Sequence, residues 1–223
     1  MKLSIVVPAY NEEATIAELI EKVKKVQLDK EIVIVDDGST DSTPKILESI
    51  NGIKVITKPN GGKGSAIIEG IRHVTGEVVV IQDADLEYDP EDFKVMLETM
   101  IENNADVVYG SRLLHSDYKV SYRRFFWGGK LVTAVANILY GISISDEPTC
   151  YKMIKTDLLK SLNLQCRRFE FCPEVTAKIA KREIKIVEVP ISYFPRSIEE
   201  GKKIGARDGI EAIWTLLRYK FTK

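Results

Sequence analysis

Two carboxylates separated by a single residue, Asp83-Ala84-Asp85, directly follow the apolar run Val78 to Gln82. A short β-branched run of that kind predicts a buried strand, so both acids stand at its carboxyl end. There they can share a hard divalent cation, Mg²⁺ or Mn²⁺, that keeps further positions open for phosphate oxygens. Such a cation acts as a Lewis acid on charge developing at a diphosphate leaving group. Glu87 lies two residues further on and offers a third oxygen ligand. The competing role, capping the next helix, is already filled by Asp89.

Two further groups carry chemistry. In Asp36-Asp37-Gly38-Ser39-Thr40-Asp41, Asp37 suits hydrogen bonding to a nucleobase or ribose, as acids after early strands do in other doubly wound folds. Asp41 suits the cap of the helix opened by Pro44. In Pro8-Ala9-Tyr10-Asn11-Glu12, Tyr10 can stack a base, Glu12 can face the nucleoside, and Asn11 reads as the cap of the first helix. Gly61-Gly62-Lys63-Gly64 resembles a phosphate cradle but lacks the full Gly-x-x-x-x-Gly-Lys-Ser/Thr pattern, so a close-packed turn fits at least as well. The adjacent Asp146 and Glu147 supply a general base if the acceptor is a hydroxyl. For an anionic phosphate acceptor they would position substrate instead.

Elements must bring these residues to one place. Leu3 to Val7, Glu31 to Val35, Ile53 to Thr57, Val78 to Gln82 and Ala105 to Tyr109 read as strands. Helical periodicity alternates with them, clearest in Phe93, Met96, Leu97, Met100 and Ile101. That alternation predicts a mostly parallel α/β sheet covered on both faces, with ligands beyond the carboxyl ends of its strands. The second half is less regular: a helix over Tyr122 to Tyr140, a loop over Asp146 to Tyr151, a helix over Phe171 to Lys181, and a strand over Ile184 to Val189. After a basic loop, Pro195 to Gly205, the chain closes on an amphipathic helix, Ala206 to Phe221. Its stripe of Ala206, Ile210, Ile213, Trp214, Leu217 and Phe221 fits packing on the domain better than contact with a bilayer surface.

The motifs Ile5-Val6-Val7-Pro8-Ala9-Tyr10-Asn11-Glu12, Val35-Asp36-Asp37-Gly38-Ser39-Thr40-Asp41 and Asp83-Ala84-Asp85 together resemble the family 2 glycosyltransferases. Gly110-Ser111-Arg112 and the loop from Arg196 to Lys202 resemble, in matching order, the dolichyl-phosphate mannose synthase branch. The resemblance implies a GT-A fold and an inverting transfer from a nucleotide sugar, GDP-mannose before UDP-glucose. It places Pro8, Tyr10, Glu12, Val35 and Asp37 around the nucleoside, and Asp83, Ala84 and Asp85 at the diphosphate and metal. Arg112, Arg196 and Lys202 would contact the donor or its phosphates, the last two from a lid. Asp85, Asp146 and Arg112 form the expected catalytic set. Asp146-Glu147-Pro148-Thr149-Cys150-Tyr151-Lys152 departs from the branch, which commonly carries Cys-Gly-Phe in this stretch.

Arg123 and Arg124 open a helix with Phe125, Phe126, Trp127, Leu131, Val132 and Val135. Guanidinium groups hold phosphate oxygens while apolar side chains can lie along an isoprenoid tail, so a polyprenyl phosphate is the expected acceptor. An Asp-x-Asp phosphotransferase is a weaker reading, since its motif belongs near the first strand with a Thr following. A non-catalytic nucleotide-sugar sensor would bind the same donor without turnover.

The 32 basic and 33 acidic residues nearly cancel, leaving no field that argues for nucleic acid as a partner. Cys150, Cys166 and Cys172 form no zinc or disulfide pattern and fit a reduced, cytoplasmic setting as buried apolar groups. No run nears the roughly 18 to 20 apolar residues of a membrane span, so any membrane contact is expected to be peripheral, on the cytoplasmic face. One GT-A domain over 1–223 is expected, with a nucleotide-sugar half over 1–110 and an acceptor half over 111–223.

Overall fold

The computed structural model describes residues 1–115, 123–196 and 205–222, with Arg123, Arg124 and Ala206 described through their backbone alone. The chain runs β1 (Leu3–Ala9), α1 (Ile16–Lys25), β2 (Lys30–Asp36), α2 (Thr43–Glu48), β3 (Lys54–Thr57), α3 (Lys63–Arg72) and β4 (Val78–Ile81). It continues through α4 (Phe93–Glu102), β5 (Val107–Ser111), α5 (Arg123–Tyr140), β6 (Lys152–Lys155), α6 (Thr156–Ser161), α7 (Phe171–Lys181), β7 (Ile186–Pro190) and α8 (Ala206–Phe221).

The strands form a seven-stranded sheet in the order β3-β2-β1-β4-β6-β5-β7. All neighbours are parallel except β6, which runs antiparallel to both β4 and β5. The strands are β-branched because both faces are covered: Ile5, Val6, Val7, Val33, Ile34, Val78, Val79 and Val80 are fully buried. Each such side chain stabilises the fold by about 1.5–3 kcal/mol. On one face α3 approaches so closely that a Cβ on Gly70 would lie 2.4 Å from Val6 Cγ1, which is why a glycine stands there.

The topology fixes what can meet at the carboxyl edge. β1, β2 and β4 end there, and the antiparallel β6 begins there, delivering the Asp146–Tyr151 loop beside the end of β4. β7 is parallel to β5 and brings Tyr193 and Arg196 to the same edge. A second small cluster of Val132, Ala136, Ala177 and Leu216 joins α5, α7 and α8.

Three local expectations change. Asn11 does not cap α1; it adopts a left-handed φ of 52°, and its Oδ1 accepts from the N–H of Thr40 at 2.8 Å. The helix starts at Ile16, after a turn in which the carbonyl of Glu12 accepts from the N–H groups of Thr15 and Ile16. β6 and α6 were hidden in the sequence, because a four-residue strand bounded by lysines and a six-residue helix show no readable period. The apolar stripe of α8 is split: Leu216 is buried with Ala212, Ile213 and Tyr219 beside it, whereas Ile210, Trp214 and Phe221 are exposed.

Candidate functional site

A cavity of about 1210 Å³ opens along the carboxyl edge of the sheet and continues between α5 and α8. Pro8, Tyr10, Glu12, Asp37, Asp83, Ala84, Asp85, Arg112, Asp146 and Arg196 all line it. Val35 does not: its side chain is fully buried in β2, and its Cγ2 would lie 3.2 Å from a Cβ on Gly70. Lys202 lies outside the described residues, and so do the side chains of Arg123 and Arg124.

Asp83 and Asp85 share the end of β4 but have different partners. Lys63 Nζ lies 2.5 Å from Asp83 Oδ1, and Arg196 Nη2 lies 3.1 Å from Asp85 Oδ2. Burial, and then the charges of Asp83 and Glu87, push the Asp85 carboxyl up to about 7, against the pull of Arg196.

Glu87 lines the cavity with the two aspartates, and its carboxylate already has partners within the protein. Its Oε2 accepts from Tyr193 Oη at 2.7 Å and its Oε1 from the Arg196 N–H at 2.8 Å. The carboxylate therefore anchors the segment after β7, while its charge also bears on Asp85. Among the described residues no three His, Cys, Asp or Glu side chains converge as a ready metal cluster.

Asp37 is largely committed. Lys58 Nζ at 2.6 Å and the Gly61 N–H at 3.0 Å donate to Oδ1, and the Gly62 N–H donates to Oδ2 at 2.7 Å. The glycine loop thus turns its N–H groups onto a carboxylate of the protein itself. Gly62 holds φ at 91°, where a Cβ would meet the Arg167 carbonyl oxygen at 2.5 Å. The loop is a close-packed turn, not an open cradle. Asp41 accepts from the N–H groups of Thr43 at 2.9 Å and Glu13 at 3.2 Å, but the N-cap position of α2 is Ser42 and carries no side-chain cap, so Asp41 ties the loop to the start of α2 from one residue before the expected cap.

Arg112 and Asp146 form a two-pronged pair, with Nε and Nη2 each 2.8 Å from a carboxylate oxygen. The Arg112 N–H adds a third bond at 3.0 Å. Burial raises the Asp146 carboxyl, but the guanidinium and these bonds outweigh it and hold the group below its ordinary range. An acid held this low and this fully paired is a poor proton acceptor, so the general-base reading loses its footing at Asp146. The guanidinium of Arg112 also stacks 5.0 Å from the Tyr193 ring.

Sequence reasoning missed Lys58, Lys63 and Tyr193. Lys63 stood within a glycine loop read for its backbone, and the pairing of residue 63 with residue 83 depends on how α3 docks. The cysteines meet expectation: Cys150 and Cys166 are buried, Cys172 is half-buried, and all three are free thiols.

This edge, with acids beyond parallel strands and an antiparallel strand beside them, is the frame of the GT-A fold. Residues 4–162 match the model of glycosyl transferase family 2, and the chain belongs to that family. It is 33% identical over 204 residues to a hexosyltransferase of low-salt glycan biosynthesis from Haloferax volcanii, covering 88% of this chain and 49% of that one. It is 29% identical over 215 residues to a dolichol-phosphate mannosyltransferase from Pyrococcus furiosus, covering 92% and 60%. The chain therefore spans about half to three fifths of these relatives. In fold it is similar to glucosyl-3-phosphoglycerate synthase from Mycobacterium tuberculosis, solved with Mn²⁺, UDP-glucose and phosphoglyceric acid. That match has a TM-score of 0.76 at 20% identity, covering 100% of this chain and 80% of the other.

Proposed function

We propose that the chain transfers a hexosyl group from a nucleoside diphosphate sugar to a polyprenyl phosphate, with mannose from GDP-mannose favoured. Residues 1–110 would serve the donor and residues 111–223 the acceptor, within one domain. The observation that carries this reading is the shared cavity: Asp83, Asp85, Arg112 and Arg196 line its polar end, and Phe126, Leu131 and Ile213 its apolar end.

The donor set fits a hard cation. Mg²⁺ and Mn²⁺ bind through one or two carboxylates plus substrate phosphates, so Asp83 and Asp85 suffice without a third protein ligand. When bound, the cation supplies charge neutralisation at the departing diphosphate. Arg196, already against Asp85 and 3.8 Å from Glu12, is placed to move its charge onto phosphate. Arg112, fixed by Asp146, presents a rigid guanidinium at the same wall. Tyr10, 40% exposed, offers an accessible ring at the nucleoside end.

An anionic acceptor oxygen needs no strong base, which agrees with the neutralised Asp146. The relatives support an acceptor of this class, and the mannosyltransferase supports the sugar. The neighbour solved with UDP-glucose keeps that donor as the second reading. Among the described residues no helix is long and apolar enough to cross a membrane. The exposed Trp127, Leu131 and Ile138 on α5, with Ile210, Trp214 and Phe221 on α8, support peripheral contact with a bilayer, where the acceptor resides.

The test is nucleotide release from GDP-mannose and UDP-glucose, with and without polyprenyl phosphate, in Mn²⁺ or chelator. Release that depends on both the lipid phosphate and the metal supports the proposal. Rapid transfer to a soluble sugar alone, or full activity in chelator, overturns it.

A further inference from the structure

Backbone outside helices and strands has no ladder to satisfy it, so a loop that must hold a side chain still needs its N–H groups met from elsewhere. The segment 144–146, which carries Asp146, is met from two sides. Asn137 of α5 takes Ile144 by both its backbone groups: Nδ2 donates to the Ile144 carbonyl at 2.8 Å, and Oδ1 accepts from the Ile144 N–H at 3.1 Å. Glu188 of β7 takes the next two residues. Its Oε1 accepts from the Ser145 N–H at 2.9 Å, from Ser145 Oγ at 2.9 Å and from the Asp146 N–H at 3.3 Å. Its Oε2 shares the Ser145 N–H at 2.8 Å.

The strand register brings Glu188 there. It is the partner of Tyr109 on β5, so its side chain stands on the same face of the sheet as those of Tyr109 and Ser111. Ser111 Oγ lies 2.6 Å from Ser145 Oγ. The next residue, Arg112, donates to Asp146 from its backbone N–H, Nε and Nη2. The end of β5, the loop and β7 are thus tied into a triangle, and the Arg112 side chain leads from it into the cavity wall. Glu188 is half-buried, and among the described residues its hydrogen bonds all go to Ser145 and Asp146. A carboxylate suits the task because both of its oxygens only accept, whereas an amide would turn N–H groups toward one of these donors.

We propose that Glu188 is a positioning residue: it fixes Ser145 and Asp146, and through Asp146 it aims Arg112 at the phosphates of the donor. This rests on the donor reading above. Charge developing on a leaving diphosphate is stabilised best by donors already held in place. A guanidinium on a long side chain has many rotamers to lose, so it must be held from outside. Asp146 holds it by Nε and one bond of Nη2, which leaves the rest of the fork for phosphate oxygens. Phosphate and Asp146 then pull on the same guanidinium, and Glu188 keeps the loop from following it.

The experiment is a double-mutant cycle of Glu188→Gln with Arg112→Lys, read by calorimetric titration of GDP and UDP in Mn²⁺ without acceptor. Thermal melts in parallel report the structural cost separately. Arg112→Lys, which keeps the charge and loses the fork, should weaken the diphosphate that wild type binds by about tenfold. Glu188→Gln should weaken it by about fivefold with Arg112 present and by less than about twofold with Lys in its place. A purely structural Glu188 would lower the melt and the fraction of binding-competent protein while leaving the affinity of that fraction alone. Should Glu188→Gln not fold, Ser145→Ala removes the Oγ bonds to Glu188 and Ser111 and leaves the backbone bonds. Binding weaker by about threefold, and unaffected in the Arg112→Lys background, is then expected. Unchanged diphosphate affinity, or the same fold loss in both backgrounds, overturns the proposal. Wild type that binds neither GDP nor UDP, or Arg112→Lys that binds as wild type does, overturns the donor reading of this wall together with it.

Discussion

The two edges of the sheet hold the same kind of residue in opposite circumstances. At the amino edge, Glu31 accepts from Ser4 Oγ at 2.5 Å, from the Thr75 N–H at 2.5 Å and Oγ1 at 2.8 Å, and from the Gly76 N–H at 3.0 Å. Burial raises its carboxyl, yet these donors outweigh burial and hold it at about 2. At the carboxyl edge, Asp85 is pushed up to about 7 by burial and by two neighbouring acids. One carboxylate is matched by the protein and holds strands together. The other is undermatched, as the proposed role at a metal and diphosphate requires. A charged side chain therefore reports function through its deficit of partners, not through being acidic or buried.

The largest effect expected of sharpening this contrast is at Arg112. Arg112→Ala would strand Asp146, a matched acid at the otherwise undermatched edge, and cost about 3–5 kcal/mol in urea unfolding. An unchanged midpoint would show that Asp146 is not held as Glu31 is. Next comes acid titration. Glu31 has a folded value near 2 against 4.5 unfolded, so its stabilisation is complete above pH 4.5 and is lost as pH falls toward 2. The wild-type advantage over Glu31→Gln should shrink by about 3 kcal/mol across that window. A difference that stays constant with pH breaks the assignment. Smallest is Asp41→Ala, with about 1 kcal/mol lost from removing its bonds to the Thr43 and Glu13 N–H groups and transfer activity retained. A loss of activity without loss of stability would move Asp41 into the site.

β1, β2, β4 and β5 were legible in the sequence because doubly covered strands are continuous apolar runs, and the exposed edge strand β3 was legible from its β-branched residues. The sequence also placed Pro8 to Glu12, Asp37 and Asp83 to Asp85 at one edge, since strand ends in such sheets share a side. What it could not show was which acids were already spoken for. Asp37 turned inward to Lys58 and the glycine loop, and Glu87 turned to Tyr193, through contacts 21 to 106 residues apart. Glu147 and Asp146 are adjacent and chemically alike, yet burial raises the Glu147 carboxyl while Arg112 holds that of Asp146 down. The α8 stripe was misjudged for a related reason: α5 and α7 choose which face is covered.

The account turns most directly on a thermal-shift comparison of wild type, Asp85→Asn and Glu31→Gln, each alone and with Mn²⁺ plus GDP or UDP. It predicts that wild type and Glu31→Gln are both stabilised by metal and nucleotide, with Glu31→Gln starting from a lower midpoint. Asp85→Asn should start at or above wild type and gain little or nothing from the same additions. Asp85→Asn that melts below Glu31→Gln, or that is stabilised by metal and nucleotide as wild type is, would contradict it.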